Sequence, residues 1–337
     1  MADVFAGEKV DTEPVVKIVS QSMPVSLTTI FFLVVAIAYL AAGAFYPTLA
    51  WTRRRRLPLT VLAITFIALT PLGLPATAKF HRLLAAVNAT ALMVKLYDLH
   101  MTCGPGLRPT FAAYVAYLPN FLSVVWRKLS ATPQPSRIEN ARRLAIALLQ
   151  AAAAITLFVW LMRRPWENVP FAIEHTVKVF TFFLALIPVT HAHTAFWRLC
   201  GGRGLDPMNR PLLAATPADF WRRYNRPAQQ FFHDHIYRRV GGPPIRAILI
   251  TFVLSAIIHE YVFSIALSRV QGCQTVFFLL QGIAAAATIR VRPTGLCKWA
   301  AIAATLSFNL ASGVFFFVSV QGAVPFYANG LPTWLLW

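Results

Sequence analysis

Long apolar runs separated by short, basic connections dominate this chain. A membrane helix needs about 20 mostly apolar residues. Runs near that length cover Val25–Tyr46, Leu57–Leu74, Leu83–Tyr97, Leu144–Met162, Val169–Thr190, Arg246–Leu267, Thr275–Ile289 and Trp299–Val320. The pattern predicts an all-α polytopic bundle of about eight spans. Leu83–Tyr97 and Thr275–Ile289 are short and read as tilted or partly buried spans. Phe111–Val125, rich in aromatics and holding Pro119, reads as interfacial. Residues 1–23 are polar and read as a flexible tail, and residues 24–337 read as one membrane domain. No internal repeat or low-complexity linker divides them.

Composition agrees. Of 337 residues, 57% are hydrophobic and 13% charged, against about 25% charged in a soluble protein. Net charge is +19. The basic residues lie between apolar runs, which suits anionic lipid headgroups or an anionic cosubstrate rather than nucleic acid. Most Lys and Arg residues fall in Trp51–Arg56, Asp98–Arg143, His191–Arg246 and Arg290–Lys298. The positive-inside rule makes those connections cytoplasmic and puts both termini on the opposite side. The expected location is therefore a multi-pass membrane protein, of the endoplasmic reticulum in a eukaryote or the plasma membrane in a bacterium.

Cys103, Cys200, Cys273 and Cys297 show no CxxC spacing, so no zinc site or redox dithiol is indicated. His191 with His193, and His233 with His235, stand at i, i+2. That spacing points side chains apart on a helix and makes a poor histidine box. His-Glu-Tyr-Val-Phe at 259–263 lacks the second histidine of HExxH. The expectation is no metal and no bound cofactor.

Polar residues within apolar runs are costly, and so are candidates for function. His259 and Glu260 lie inside the Arg246–Leu267 run. Glu260 points about 100° from His259 around a helix and is expected to meet an Arg or another helix. Glu174 with Lys178, and Lys95 with Asp98, are spaced for intrahelical ion pairs. The connection His191–Arg246 carries nine arginines against Asp206, Asp219 and Asp234. Within it, Thr216-Pro217-Ala218-Asp219 predicts a helix start. Trp221, Asn225, Ala228 and Phe232 then share one face of an amphipathic helix over Asp219–Tyr237. Two alternatives stay open. That helix can be a plain interfacial anchor, and His259 can be a helix–helix hydrogen-bonder.

These residues resemble a known family. Arg210-Pro-Leu-Leu-Ala-Ala-Thr-Pro-Ala-Asp-Phe-Trp-Arg-Arg-Tyr-Asn225 is similar to the wax synthase signature, in which Thr/Ser-x-x-Asp-Phe-Trp leads to Arg-Arg-Trp-Asn or Arg-Arg-Trp-His. Phe232, His235 and Tyr237 follow, before a Gly/Pro turn. Thr251-Phe-Val-Leu-Ser255-Ala-Ile-Ile-His259-Glu260 is similar to that family's Ser-x-x-x-His-Glu helix. Sterol and diacylglycerol O-acyltransferases share the arrangement, and all belong to the membrane-bound O-acyltransferase superfamily. The close match covers roughly residues 209–267. Tyr224 stands where the family usually has Trp. The longer Phe-Tyr-x-Asp-Trp-Trp-Asn motif is absent, which points to the wax synthase-like branch.

The resemblance implies acyl transfer from acyl-CoA, a cosubstrate, to the hydroxyl of a lipophilic alcohol. His259 is then catalytic and Asn225 assists, by orienting the imidazole or by donating to the oxyanion. Phe220, Trp221, Tyr224 and Phe232 are expected to line the pocket. Arg222, Arg223, Arg226, Arg238 and Arg239 are candidates for the CoA phosphates, with Asp219, Ser255 and Glu260 in support. For Asn225 and His259 to meet, Asp219–Tyr237 must dip toward the buried part of Arg246–Leu267. An acetyl donor with a terpenoid, sterol or other specialised acceptor is an alternative. So is a proton-coupled transporter using Glu174, Lys178, His259 and Glu260 as a relay, or a non-catalytic membrane scaffold.

Overall fold

The structure is a computed structural model that describes residues 26–129 and 134–335. The expected N-terminal tail, 1–23, lies outside the described residues. Among those described, the secondary structure is helical with one isolated β-bridge, Gly104 to Leu107. The helices are α1 Leu27–Ala44, α2 Arg53–Leu69, α3 Lys79–Thr102, α4 Phe111–Tyr117, α5 Trp126–Leu129, α6 Arg137–Met162 and α7 Phe171–Leu199. Then come α8 Pro217–Arg223, α9 Arg226–Phe232, α10 Arg238–Val240, α11 Pro244–Leu267, α12 Cys273–Thr288 and α13 Gly295–Ala323.

Six described segments are long and apolar enough to cross a membrane: Leu27–Ala50, Arg53–Gly73, Arg137–Met162, Phe171–Leu199, Pro244–Leu267 and Gly295–Ala323. This is an all-α polytopic membrane protein. The other two expected spans exist as α3 and α12 but differ in kind. α3 carries Lys79, Arg82, Lys95 and Asp98, and α12 has 16 residues. Large apolar side chains such as Phe32, Leu40, Leu62 and Leu149 face outward, which lipid tolerates and water does not.

One half of the bundle packs α3 against α1, α2 and α11. Ala38, Ala42, Leu92, Leu96 and Leu99 fill that contact. Arg56 is fully buried there, donating to the carbonyls of His100 and Cys103 at 2.8 and 2.9 Å. The other half pairs α6 with α7 and α11 with α12. Helices α11 and α12 touch closely because Gly282 faces Phe252. A Cβ at 282 would lie 2.7 Å from the Phe252 Cβ.

The expected Lys95–Asp98 ion pair does not form. Lys95 Nζ donates to the carbonyls of Tyr117, Leu118 and Asn120 at 2.6–2.8 Å. Asp98 accepts from the Trp126 N–H and pairs with His235 Nε2 at 2.7 Å. Both groups are fully buried, and separate tertiary partners satisfy each better than one shared contact across a helix turn. The Glu174–Lys178 pair does form. It also pins the segment after α13, with Lys178 donating to the Phe326 carbonyl and Glu174 accepting from the Ala328 N–H.

The single amphipathic helix over Asp219–Tyr237 is corrected to a broken one. Helix α8 stops at Arg223, α9 starts at Arg226, and His233–Tyr237 is a π-helix. Pro227 explains the break. A continuous helix would need its missing N–H to reach the Arg223 carbonyl. That carbonyl instead accepts from the Asn209 N–H at 2.8 Å. Asn225 takes a left-handed conformation, φ 45°, and its side chain accepts from the Ala228 N–H to cap α9. Asn is among the few residues other than Gly that adopt this conformation readily.

Candidate active site

Helix α11 carries His259 about 22 Å from its first residue. Its Nδ1 lies 2.8 Å from the Ser255 carbonyl oxygen one turn earlier. The imidazole packs at a tilt against Phe278 of α12, with ring centroids 4.2 Å apart, and meets Phe316 of α13 at 6.3 Å. Aromatic rings from two neighbouring helices therefore hold the imidazole.

The broken segment returns against these rings. The Thr216 hydroxyl caps α8 by accepting from the Asp219 N–H. The Ala218 N–H donates to the Thr288 hydroxyl at 3.2 Å, and Trp221 Nε1 donates to Gln281 Oε1 at 2.8 Å. The Trp221 ring packs edge-on against Phe252 at 5.3 Å. These contacts lay α8 along α12, which brings the 217–237 region to α11.

A cavity of about 680 Å³ results, lined by both Asn225 and His259. Phe220, Trp221, Tyr224, Phe232 and Ser255 line it too. Its remaining wall is mostly apolar, with phenylalanines from α7, α11, α12 and α13. A polar reactive pair in an apolar chamber of this size suits a lipophilic substrate. Burial pushes the Tyr224 phenol up to about 12, so it stays protonated at neutral pH.

The expected arginine cluster is only partly gathered. Arg222 lines the cavity. Arg223 and Arg222 both bind Asp219, at 2.9 and 3.1 Å. Arg226 reaches the Asp206 carbonyl at 3.4 Å. Arg238 and Arg239 are exposed and do not line the cavity. The short helices turn these side chains to different sides. Sequence reasoning missed Arg292, which does line it. Its signal was the basic connection Arg290–Lys298, read only as a membrane flank. Gln281 and Asn309 were missed as well, although each is a polar residue in an apolar run.

Glu260 serves α12 rather than the cavity. Its carboxylate accepts from the Gln271, Gly272 and Thr275 N–H groups at 3.0, 2.7 and 3.2 Å, and from the Thr275 hydroxyl. A carboxylate at a helix N-terminus meets unpaired donors and the positive end of the helix dipole. Glu174 and Lys178 also lie off the cavity, fully buried against each other. Three of the four residues of a proton relay thus lie outside the chamber that holds His259.

A family model described as MBOAT, membrane-bound O-acyltransferase family, matches residues 109–321. That is more than half of the chain, and it includes every cavity residue named above. A search of the curated proteins finds no match.

Proposed function

We propose that this chain, which belongs to the membrane-bound O-acyltransferase family, moves an acyl group from acyl-CoA to the hydroxyl of a lipophilic alcohol, as a wax ester synthase does. The observation that carries the reading is that His259 and Asn225 line one and the same phenylalanine-rich cavity.

The Ser255 carbonyl oxygen accepts from His259 Nδ1, which leaves Nε2 of the neutral ring as the base. Nε2 takes the alcohol proton while the alcohol oxygen attacks the thioester carbonyl. A C–O bond forms, and the carbonyl electron pair moves to oxygen. As the carbonyl re-forms, the C–S bond breaks and the imidazolium proton passes to the CoA sulfur. The products are ester and free CoA, with the histidine neutral again. The Asn225 side-chain oxygen is engaged with Ala228, which leaves its amide donor for the oxyanion. Arg222 and Arg292 are the arginines on the cavity wall. They are the candidates for the CoA phosphates, since a guanidinium binds phosphate bidentately.

The test is CoA release by the purified protein from acyl-CoAs, acetyl to palmitoyl, with and without lipophilic alcohols. Release that requires both substrates supports the reading and shows which chain lengths are used. No release with any donor, from a folded preparation, removes acyl-CoA as the donor.

A further inference from the structure

Tyr224 departs from the family pattern, in which Trp usually stands at this place. The backbone fixes it closely. It ends α8, with its N–H donating to the Phe220 carbonyl at 2.9 Å, and the left-handed Asn225 follows at the break. The ring is held as well. It stacks on Phe220, with centroids 5.3 Å apart and 13° between planes. It meets Trp221 and Phe183 of α7 edge-on at 5.7 and 5.9 Å. Three aromatic neighbours leave the phenol little freedom to turn its oxygen elsewhere.

That oxygen has nothing to bond. The hydroxyls of Tyr46, Tyr114 and Tyr261 donate to backbone carbonyls, and that of Tyr327 bonds His175. The Tyr224 hydroxyl bonds no described residue, yet it is not sealed off either. It keeps accessible surface, and the space that Tyr224 borders is the cavity. A tyrosine hydroxyl taken out of water ordinarily finds a partner.

The wall beside it offers no competing polar group. Val179, Phe182, Phe183 and Leu186 come from α7, and Phe317 from α13. A lone polar group in an apolar wall is what orients a bound lipophile. Tyr224 also stands apart from the reacting centre. Phe278 and Trp221 lie between it and His259, Phe278 packing on the imidazole and Trp221 on both Phe278 and Tyr224. Whatever meets Tyr224 is therefore a different group from the hydroxyl that meets His259. A plain acyl chain has no polar atom beyond its carbonyl, and the CoA phosphates belong with arginines. That leaves the acceptor. An alcohol with no other oxygen would leave the phenol unpaired, and an unmade buried hydrogen bond costs more than a made one gains.

We propose that the Tyr224 hydroxyl donates a hydrogen bond to a second oxygen of the acceptor, a carbonyl or hydroxyl remote from the hydroxyl that is acylated. The acceptor class is then an oxygenated lipophilic alcohol rather than a plain long-chain one. This rests on the acyltransferase reading above and narrows it. Tyr224 is a specificity residue, and its hydroxyl takes no part in the proton transfers at His259.

The experiment holds the acyl-CoA fixed at the best donor and varies the acceptor. The probes are dodecanol and the dodecanols that carry one ketone, placed at each carbon along the chain in turn. Wild type and Tyr224→Phe are compared. The readout is kcat/KM for each ketone divided by that for dodecanol. Partitioning of an alcohol into detergent is common to both proteins and cancels between them. For the best-placed ketone we expect this ratio to fall about 5–150-fold from wild type to Tyr224→Phe, the difference between a made and an unmade buried hydrogen bond. A change below about twofold at every ketone position overturns the assignment. If Tyr224→Phe turns over neither acceptor, the comparison is read from binding, as the rise in unfolding midpoint that saturating ketone gives over saturating dodecanol. A rise in wild type that is absent from the variant supports the contact, and equal rises overturn it. Absence of CoA release by wild type from every pairing of acyl-CoA and alcohol is a failure of the acyltransferase reading, and this assignment falls with it.

Discussion

The carbonyl oxygen of Ser255 lies 2.8 Å from Nδ1 of His259, one helical turn away. A carbonyl only accepts, so Nδ1 keeps the ring proton and the lone pair is on Nε2. The backbone of α11 thereby performs the orienting task that sequence reasoning offered to Asn225 as one of two roles. The first prediction follows. His259→Ala is expected to lower acceptor-dependent CoA release about 10²–10⁴-fold, the usual worth of a general base. Its thermal unfolding in detergent should match wild type. Undiminished turnover would remove His259 from the reaction.

Glu260 is expected to behave differently from its neighbour. Glu260→Ala strands three part-buried backbone donors at the start of α12, each costing less than the about 1–3 kcal/mol of a fully buried one. Glu260→Gln keeps one acceptor oxygen and loses less. The midpoint of thermal unfolding should fall in the order Ala below Gln below wild type. A Glu260→Gln protein with a normal midpoint but no activity would move this carboxylate into the chemistry.

Asp98 and His235 form a pair with side chains 0% and 1% exposed. Asp98→Ala leaves His235 Nε2 and the Trp126 N–H unpaired, and breaking a buried pair costs about 3–5 kcal/mol. Asp98→Leu combined with His235→Phe should recover a large part of that loss. A double-mutant cycle on unfolding free energies checks both statements, and additive losses would count against coupling.

Asp219 supplies a pH dependence. Burial pushes its carboxyl up, but the Arg223 hydrogen bond and charge, the Ala215 N–H and Arg222 together hold it below its ordinary value of 3.8. A lowered folded value stabilises the fold above the ordinary value and loses that stabilisation as pH falls through the lowered one. Stability should therefore hold down to about pH 4 and decline below it. Asp219→Asn should flatten that part of the curve. An unchanged acid limb in the variant would show that other carboxylates govern it.

The spans were legible because burial in lipid demands length and apolarity, and both are visible in α1, α6 and α13. The gathering of Asn225 with His259 was legible as two ordered motifs. The break between α8 and α9 was not. Trp221, Asn225, Ala228 and Phe232 all line the cavity although the helix between them is broken, and only Pro227 signalled the interruption. Lys95 and Asp98 looked like partners by spacing, yet tertiary acceptors outbid a neighbour on the same helix. Gln281 and Asn309 had no motif at all. Helix packing brings them to the cavity, which no linear pattern records.

The left-handed backbone at residue 225 makes this position a filter with two meshes. A saturation library sorted on folding alone should pass Asn and Gly, with Asp as a weaker survivor, because the filter there is conformational. The same library sorted on turnover should pass Asn alone, because only it adds an amide donor. The gap between the two surviving sets isolates what the side chain contributes to the reaction, with Asn225→Gly as the variant that separates shape from chemistry.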